Sequence, residues 1–246
     1  MHSSSKILAI AVVVFGVAGA GCGGGDSAAG PLSKHFDDQY IVQIPVEQQQ
    51  GVVQASNDWS LAKRQAAKAE ADFNDNATQL SIVRNDQKAT HLGVESANAS
   101  KKAADASADT NRMNQATKDQ HTAEELAKAA DARVSYYEAY NDYLKAELRH
   151  AQDNMYWREA QYEAAKAQLG QQNGKAPKGV SFGDFPKQEQ DRAGRERSSR
   201  EKVDSARSKA QSARDSWQRA QETADRDNGH PTNLPDPMAS KTGSSS

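Results

Sequence analysis

The sequence predicts an all-α protein: an elongated antiparallel coiled-coil hairpin with an additional C-terminal helix and disordered termini. Three observations lead there. Alanine supplies 41 of the 246 residues, whereas Leu, Ile, Val and Phe together supply 33, so there is little material for a thick core. The 31 basic residues nearly cancel the 33 acidic ones, and mean hydropathy is −0.89. A low content of large apolar residues goes with disorder when net charge is high. With balanced charge and abundant Ala, the best helix former, it favours long thin helices instead. Finally, no proline occurs from Val46 to Ala176, and Gly93 is the only glycine between Val52 and Leu169. An α/β enzyme, a β-sandwich and a multi-span membrane protein are excluded together.

Residues 1–21 read as an export signal: Lys6 near the start, an apolar run from Ile7 to Ala18, then small residues. That run is about half the roughly 20 residues a helix needs to cross a bilayer. The chain's single cysteine, Cys22, follows Gly19, Ala20 and Gly21. This arrangement resembles the lipobox of bacterial lipoproteins, with Gly19 standing where that family usually carries an aliphatic residue. The resemblance implies that the Cys22 sulfur receives diacylglycerol and its amine an acyl chain such as palmitate, leaving Cys22 as the first mature residue. It also implies retention in the outer membrane, because Gly23 and not Asp follows the cysteine. A lone cysteine makes no intramolecular disulfide.

Residues 22–52 are expected to be a flexible tether (GGGDSAAG) followed by an extended segment, since Pro31 and Pro45 bracket the β-branched Ile41, Val42 and Ile44. Residues 53–170 carry the coiled-coil pattern. Trp59, Ala66, Phe73, Leu80 and Val94 fall on one heptad position, interleaved with Ala62, Ala69, Val83 and Ala97. In the second half Val134, Leu148, Met155, Tyr162 and Leu169 recur likewise, interleaved with Ala130, Tyr137, Leu144, Ala151 and Ala165. Alternating steps of three and four keep one seam against a partner. A register that pairs Phe73 with Leu144 and Leu80 with Tyr137 also sets Asn76 against Asn141, a polar layer able to fix that register. The turn then falls within 105–112, where Ser, Asp, Thr and Asn cluster. One uninterrupted helix is the competing arrangement, and a capping box at Thr122 and Glu125 marks a second possible turn.

A breaker-rich loop spans 171–186, a third helix 187–227, and a Pro- and Ser-rich disordered tail 228–246. The third helix has a seam of Val203, Ala206, Ala210, Ala213, Trp217, Ala220 and Ala224. Its partner is either the aromatic-rich arm or a second copy of the chain in a homo-oligomer.

The residues offer little for catalysis. His35, His91, His121, His150 and His230 are scattered without the i, i+4 spacing of a metal pair, no phosphate loop occurs, and the one thiol is accounted for by lipid. No enzyme activity, and no cofactor beyond the covalent lipid, is expected. The 187–226 stretch has 11 basic and 8 acidic residues, interleaved as on a solvated helix face and unlike a nucleic-acid stripe. Tyr136, Tyr140, Tyr143, Tyr156 and Trp157 are either packing or a face for a partner.

The stretch 136–169, YYEAYNDYLKAELRHAQDNMYWREAQYEAAKAQL, resembles the hairpin arms of outer-membrane efflux ducts and their periplasmic adaptors, and chaperone arms of the Skp type. No functional residue transfers from that resemblance. The expected role is a membrane-anchored envelope rod that binds a protein or a cell-wall glycan and faces the periplasm. The alternative is a periplasmic chaperone or assembly factor.

Overall fold

A computed structural model describes residues 30–242, with side chains described as far as Ala239. Cys22 and the export signal lie outside the described residues. The body is built from α1 (Asp38–Ile41), a 3-10 turn (Val46–Gln48), α2 (Gln50–Ala106), α3 (Thr110–Gln172), α4 (Asp184–Asn228) and α5 (Pro237–Thr242). Among the described residues there is no strand, and no helix is long and apolar enough to cross a membrane. α3 has 63 residues, about 95 Å at 1.5 Å per residue. It is the central rod: α2 and α4 each pack along it and run antiparallel to it.

The hairpin turns at Ser107–Asp109. Asp109 caps α3, its Oδ1 accepting from the backbone N–H of Asn111 at 2.9 Å and of Arg112 at 3.2 Å. Ser107 Oγ closes the end of α2 by donating to the Ala104 carbonyl at 2.7 Å. Ala108 between them takes a left-handed φ of 53°, which costs a residue with a Cβ about 1–2 kcal/mol. The capping-box spacing at Thr122 and Glu125 does not break α3, which runs through it. Asn76 Nδ2 donates to Asn141 Oδ1 at 3.3 Å, in the register read from the heptads. Cross-helix contacts extend that register in both directions: Gln87 donates to Asp131, Arg84 pairs with Glu138, and Trp59 stacks on Tyr162 with centroids 5.6 Å apart.

The third helix folds back within the same chain. Trp217 lies flat on Tyr136, the rings 5.4 Å apart and 11° from parallel, with Ala210 and Ala224 fully buried beside it. α4 begins at Asp184 and takes in Pro186, because the first turn of a helix has no intrahelical use for the N–H that proline lacks. At its far end Gly229 caps the helix with a left-handed φ of 76°.

Two sequence expectations need correction here. The tail beyond 228 is ordered at least through Ala239 and packs on the bundle, Leu234 and Met238 joining the core around Tyr136 and Trp217. The segment 31–46 is not extended where its β-branched residues lie. After 31–37, which form no regular element, it makes one helical turn and leads into a 3-10 turn, with Phe36, Ile41 and Ile44 buried against Ala167, Leu169 and Phe185. In both cases apolar residues too few to make an element by themselves find a surface already built by the long helices.

Replacing Asn76 by Leu takes away the hydrogen-bond partner of Asn141, which is half-buried and can turn to water. This costs about 0.5–1.5 kcal/mol in urea unfolding, and the paired change Asn76→Leu with Asn141→Leu recovers part of it.

Candidate functional site

The most built part of the molecule is the end where α2 starts, α3 stops and α4 starts. There the chain before α2 is clasped by α3. Glu163 and Lys166, one helical turn apart and both almost fully buried, form an ion pair of 2.9 Å. Between them they hold both main-chain groups of Phe36: its N–H donates to Glu163 Oε2 at 2.6 Å, and its carbonyl accepts from Lys166 Nζ at 2.9 Å. Lys166 also donates to Asp38 at 2.7 Å, and His35 Nδ1 lies 3.5 Å from Glu163. Burial by itself works against a charged Lys166, but the bonds to Asp38 and Glu163 outweigh it and raise its pKa. Gly170 completes the seat: a Cβ there would come within 2.4 Å of the Phe36 ring and 2.6 Å of the Lys175 carbonyl. Beside the clasp a column of cation, ring, ring and cation bridges α2 to α3. Lys63 Nζ sits 3.7 Å over Trp59, which stacks on Tyr162, with Lys166 Nζ 4.5 Å from the far ring.

The aromatic residues read as a possible partner face divide in two. Tyr136, Tyr140 and Tyr143 are 0%, 4% and 7% exposed. As an outward face they are corrected: the second side of α3 that they occupy is covered by α4 and the tail. Tyr156 and Trp157 are half-buried, with the Arg192 guanidinium 5.3 Å from the Tyr156 ring and that of Arg158 4.4 Å from the Trp157 ring.

The tail is latched by one carboxylate. Asp236 accepts from Tyr136 Oη at 2.6 Å, from Arg214 Nε at 2.6 Å and from the Met238 N–H at 3.1 Å, while Tyr137 Oη donates to the Pro235 carbonyl at 3.0 Å. Burial alone would raise the Asp236 pKa; the Tyr136 and Arg214 bonds outweigh it and lower it. The Tyr136 hydroxyl is pushed well above the usual tyrosine range by burial and by that carboxylate.

The described histidines other than His230 each meet a carboxylate on another element: His35 with Glu163, His91 with Asp131, His121 with Asp227, and His150 with Glu196. The carboxylates close in sequence are used elsewhere: Asp153, three residues after His150, takes Arg149 at 3.1 Å, and Asp38, three residues after His35, takes Lys166. His150 is also 3.4 Å from Ser199 Oγ, so a serine, a histidine and a glutamate come together between α3 and α4. Ser199 is buried, however, and its hydroxyl donates to the Glu196 carbonyl of its own helix at 2.9 Å. The imidazole stands 3.7 Å from the Glu196 oxygen, beyond hydrogen-bond range. The geometry is that of a polar layer, with no activated nucleophile. Among the described residues no group of three His, Cys, Asp or Glu side chains is placed to hold a metal ion.

Sequence reading missed Glu163, Lys166, Asp236, Glu196 and Ser199. The signal for the first two was present: Ala160, Glu163, Ala167 and Gly170 repeat at steps of three and four along a second side of α3. No protein-family model, curated protein or solved structure matches the chain.

Lys166→Met, which leaves Glu163 buried without its cation, is expected to cost about 3–5 kcal/mol in urea unfolding and to speed proteolysis between residues 30 and 49. Acid releases the tail: because the Asp236 pKa is lowered by folding, its contribution is complete above the ordinary carboxylate value of about 4 and disappears as pH falls through the lowered value. Trp217 fluorescence followed down the pH scale reads this, and Asp236→Asn removes the step.

Proposed function

We propose that the chain is a lipid-anchored protein of the bacterial envelope, acylated at Cys22, whose helical rod holds a protein or cell-wall glycan partner at a distance from the membrane. The clasp at Phe36 carries this reading. It ties the chain that descends from Cys22 to one end of the bundle, while the Ser107–Asp109 turn lies at the other. Anchoring and reach are thereby assigned to opposite ends of one stiff body, as a spacer requires. A flexible attachment at mid-rod would provide neither.

The acyl chains supply membrane affinity, two or more of them giving a stable anchor where one is marginal. The half-buried Tyr156 and Trp157, each with an arginine over its ring, are aromatic positions on α3 that a partner can still reach. The rod acts without catalysis in this reading, and no cofactor is required. The chaperone alternative needs arms that part around a client, whereas α2 and α3 are packed together from the clasp to the turn.

Detergent-phase partitioning of the protein from cell envelopes is the test. The native chain enters the detergent phase and Cys22→Ala stays aqueous, with the same helical circular dichroism for both. Equal partitioning of the two forms would overturn the anchor.

A further inference from the structure

The clasped end has an unusual surface. Residues 38–57 form α1, the 3-10 turn and the start of α2, and residues 173–183 form the loop from α3 to α4. In these two stretches only Asp38, Glu47, Lys175 and Lys178 are charged, in a chain that is 26% Asp, Glu, Lys and Arg overall. Asp38 is exposed but paired with Lys166, and the charged side chains next to the stretches include Lys34, paired with Asp184 at 3.1 Å, and Asp37, the cap of α1. On the same end stand the two most exposed large apolar residues described, Val42 at 80% and Val46 at 74%, with Val53, about half exposed, at the start of α2. Their neighbours Ile41 and Ile44 are buried, and Gln49 Nε2 donates to the carbonyls of both, so the turn presenting the valines is held rigidly. Water is a poor partner for such a surface, and the described residues leave it uncovered.

We infer that this end is a seat on the lipid bilayer, with Val42 and Val46 entering the headgroup layer. The inference rests on the acylation of Cys22 and extends it from a tether to a docked geometry. What selects lipid as the occupant is chain length. From Cys22 to Gly30, the first described residue, there are eight steps along the chain, which span at most about 29 Å when fully extended. From Pro31 onward the chain is held, Arg192 donating to the Gly30 and Pro31 carbonyls and Gln188 to that of Lys34. A body leashed this closely by its base meets the headgroups with its base. A surface poor in charge and tipped with valines, on which Glu47 and the Lys166-paired Asp38 are matched by Lys175 and Lys178, fits a phospholipid surface. Seating also sets the rod upright, since the long helices leave the seat together.

The test uses the mature acylated protein in vesicles of phosphatidylethanolamine and phosphatidylglycerol that contain a lipid quencher at the top of the acyl chain. Once Cys22 is a thioether, a cysteine at Val42→Cys or Val46→Cys is the one free thiol and takes a fluorophore. Ser100→Cys, near the hairpin turn, is the reference. All three positions are exposed, so the fold tolerates the labels. Labels at 42 and 46 are expected to be quenched severalfold more than the label at 100. Equal quenching at all three, in protein whose acylation mass spectrometry verifies, would overturn the seat and leave the anchor standing. An unmodified Cys22 thiol would overturn the anchor and the seat together.

Discussion

The architecture depends on α3 being sandwiched. A helix buried along one stripe needs apolar residues at alternating steps of three and four, but a helix packed on both sides needs two such stripes, and this chain has too few Leu, Ile and Val for both. Its solution is to spend the ordinary heptad residues, Val134, Tyr137, Leu144 and Leu169, on α2. The other side is filled with Tyr136, Tyr140 and Tyr143 above and with Ala160, Ala167 and Gly170 below. Tyrosine brings large area together with a hydroxyl that must find a partner when buried. The Tyr136 and Tyr137 hydroxyls find theirs in the tail, and that is why a Pro-rich stretch is held down at all.

Where the apolar residues run out, buried polar groups take over. Glu163, Lys166, Asp153, Glu196 and Ser199 are all withdrawn from water on α3 or the α4 face that meets it. Such groups add little net stability over hydrocarbon of the same shape, but removing one partner is expensive. They therefore act as conditions on pairing. Phe36 is accepted because its N–H and C=O answer Glu163 and Lys166 in order, so a segment shifted by one residue would miss both.

How much of this was legible follows from the range of each interaction. The hairpin, its turn and its register could be read because they depend on repeats many residues long, and the Asn76–Asn141 pair adds one polar marker to that repeat. The fold-back of the third helix was visible as one of two options, since Trp217 among alanines requires an aromatic partner without saying whose. The clasp and the latch were hidden. Each joins a short irregular segment to the long helices, the clasp through the main-chain groups of Phe36 and the latch through the lone Asp236 carboxylate and the Pro235 carbonyl, and none of these carries a sequence signature. The tyrosines were misleading for a related reason: Tyr suits an exposed partner face and a buried second seam equally well, and only the position of α4 decides between them.

The rod is also not uniform along its length. α4 ends at Asn228, where Asp227 meets His121 and Thr122, so the last dozen residues of hairpin before the turn, about 18 Å, continue as two helices only. Ala104 and Ala116 are the buried residues of that stretch, which contains no aromatic residue. Flexural rigidity rises steeply with the cross-section of a beam, so a sideways load on the free end is taken up as bending at the step where the third helix stops, while the thicker shaft below it stays straight. The rod is accordingly a stiff three-helix shaft with a compliant two-helix tip.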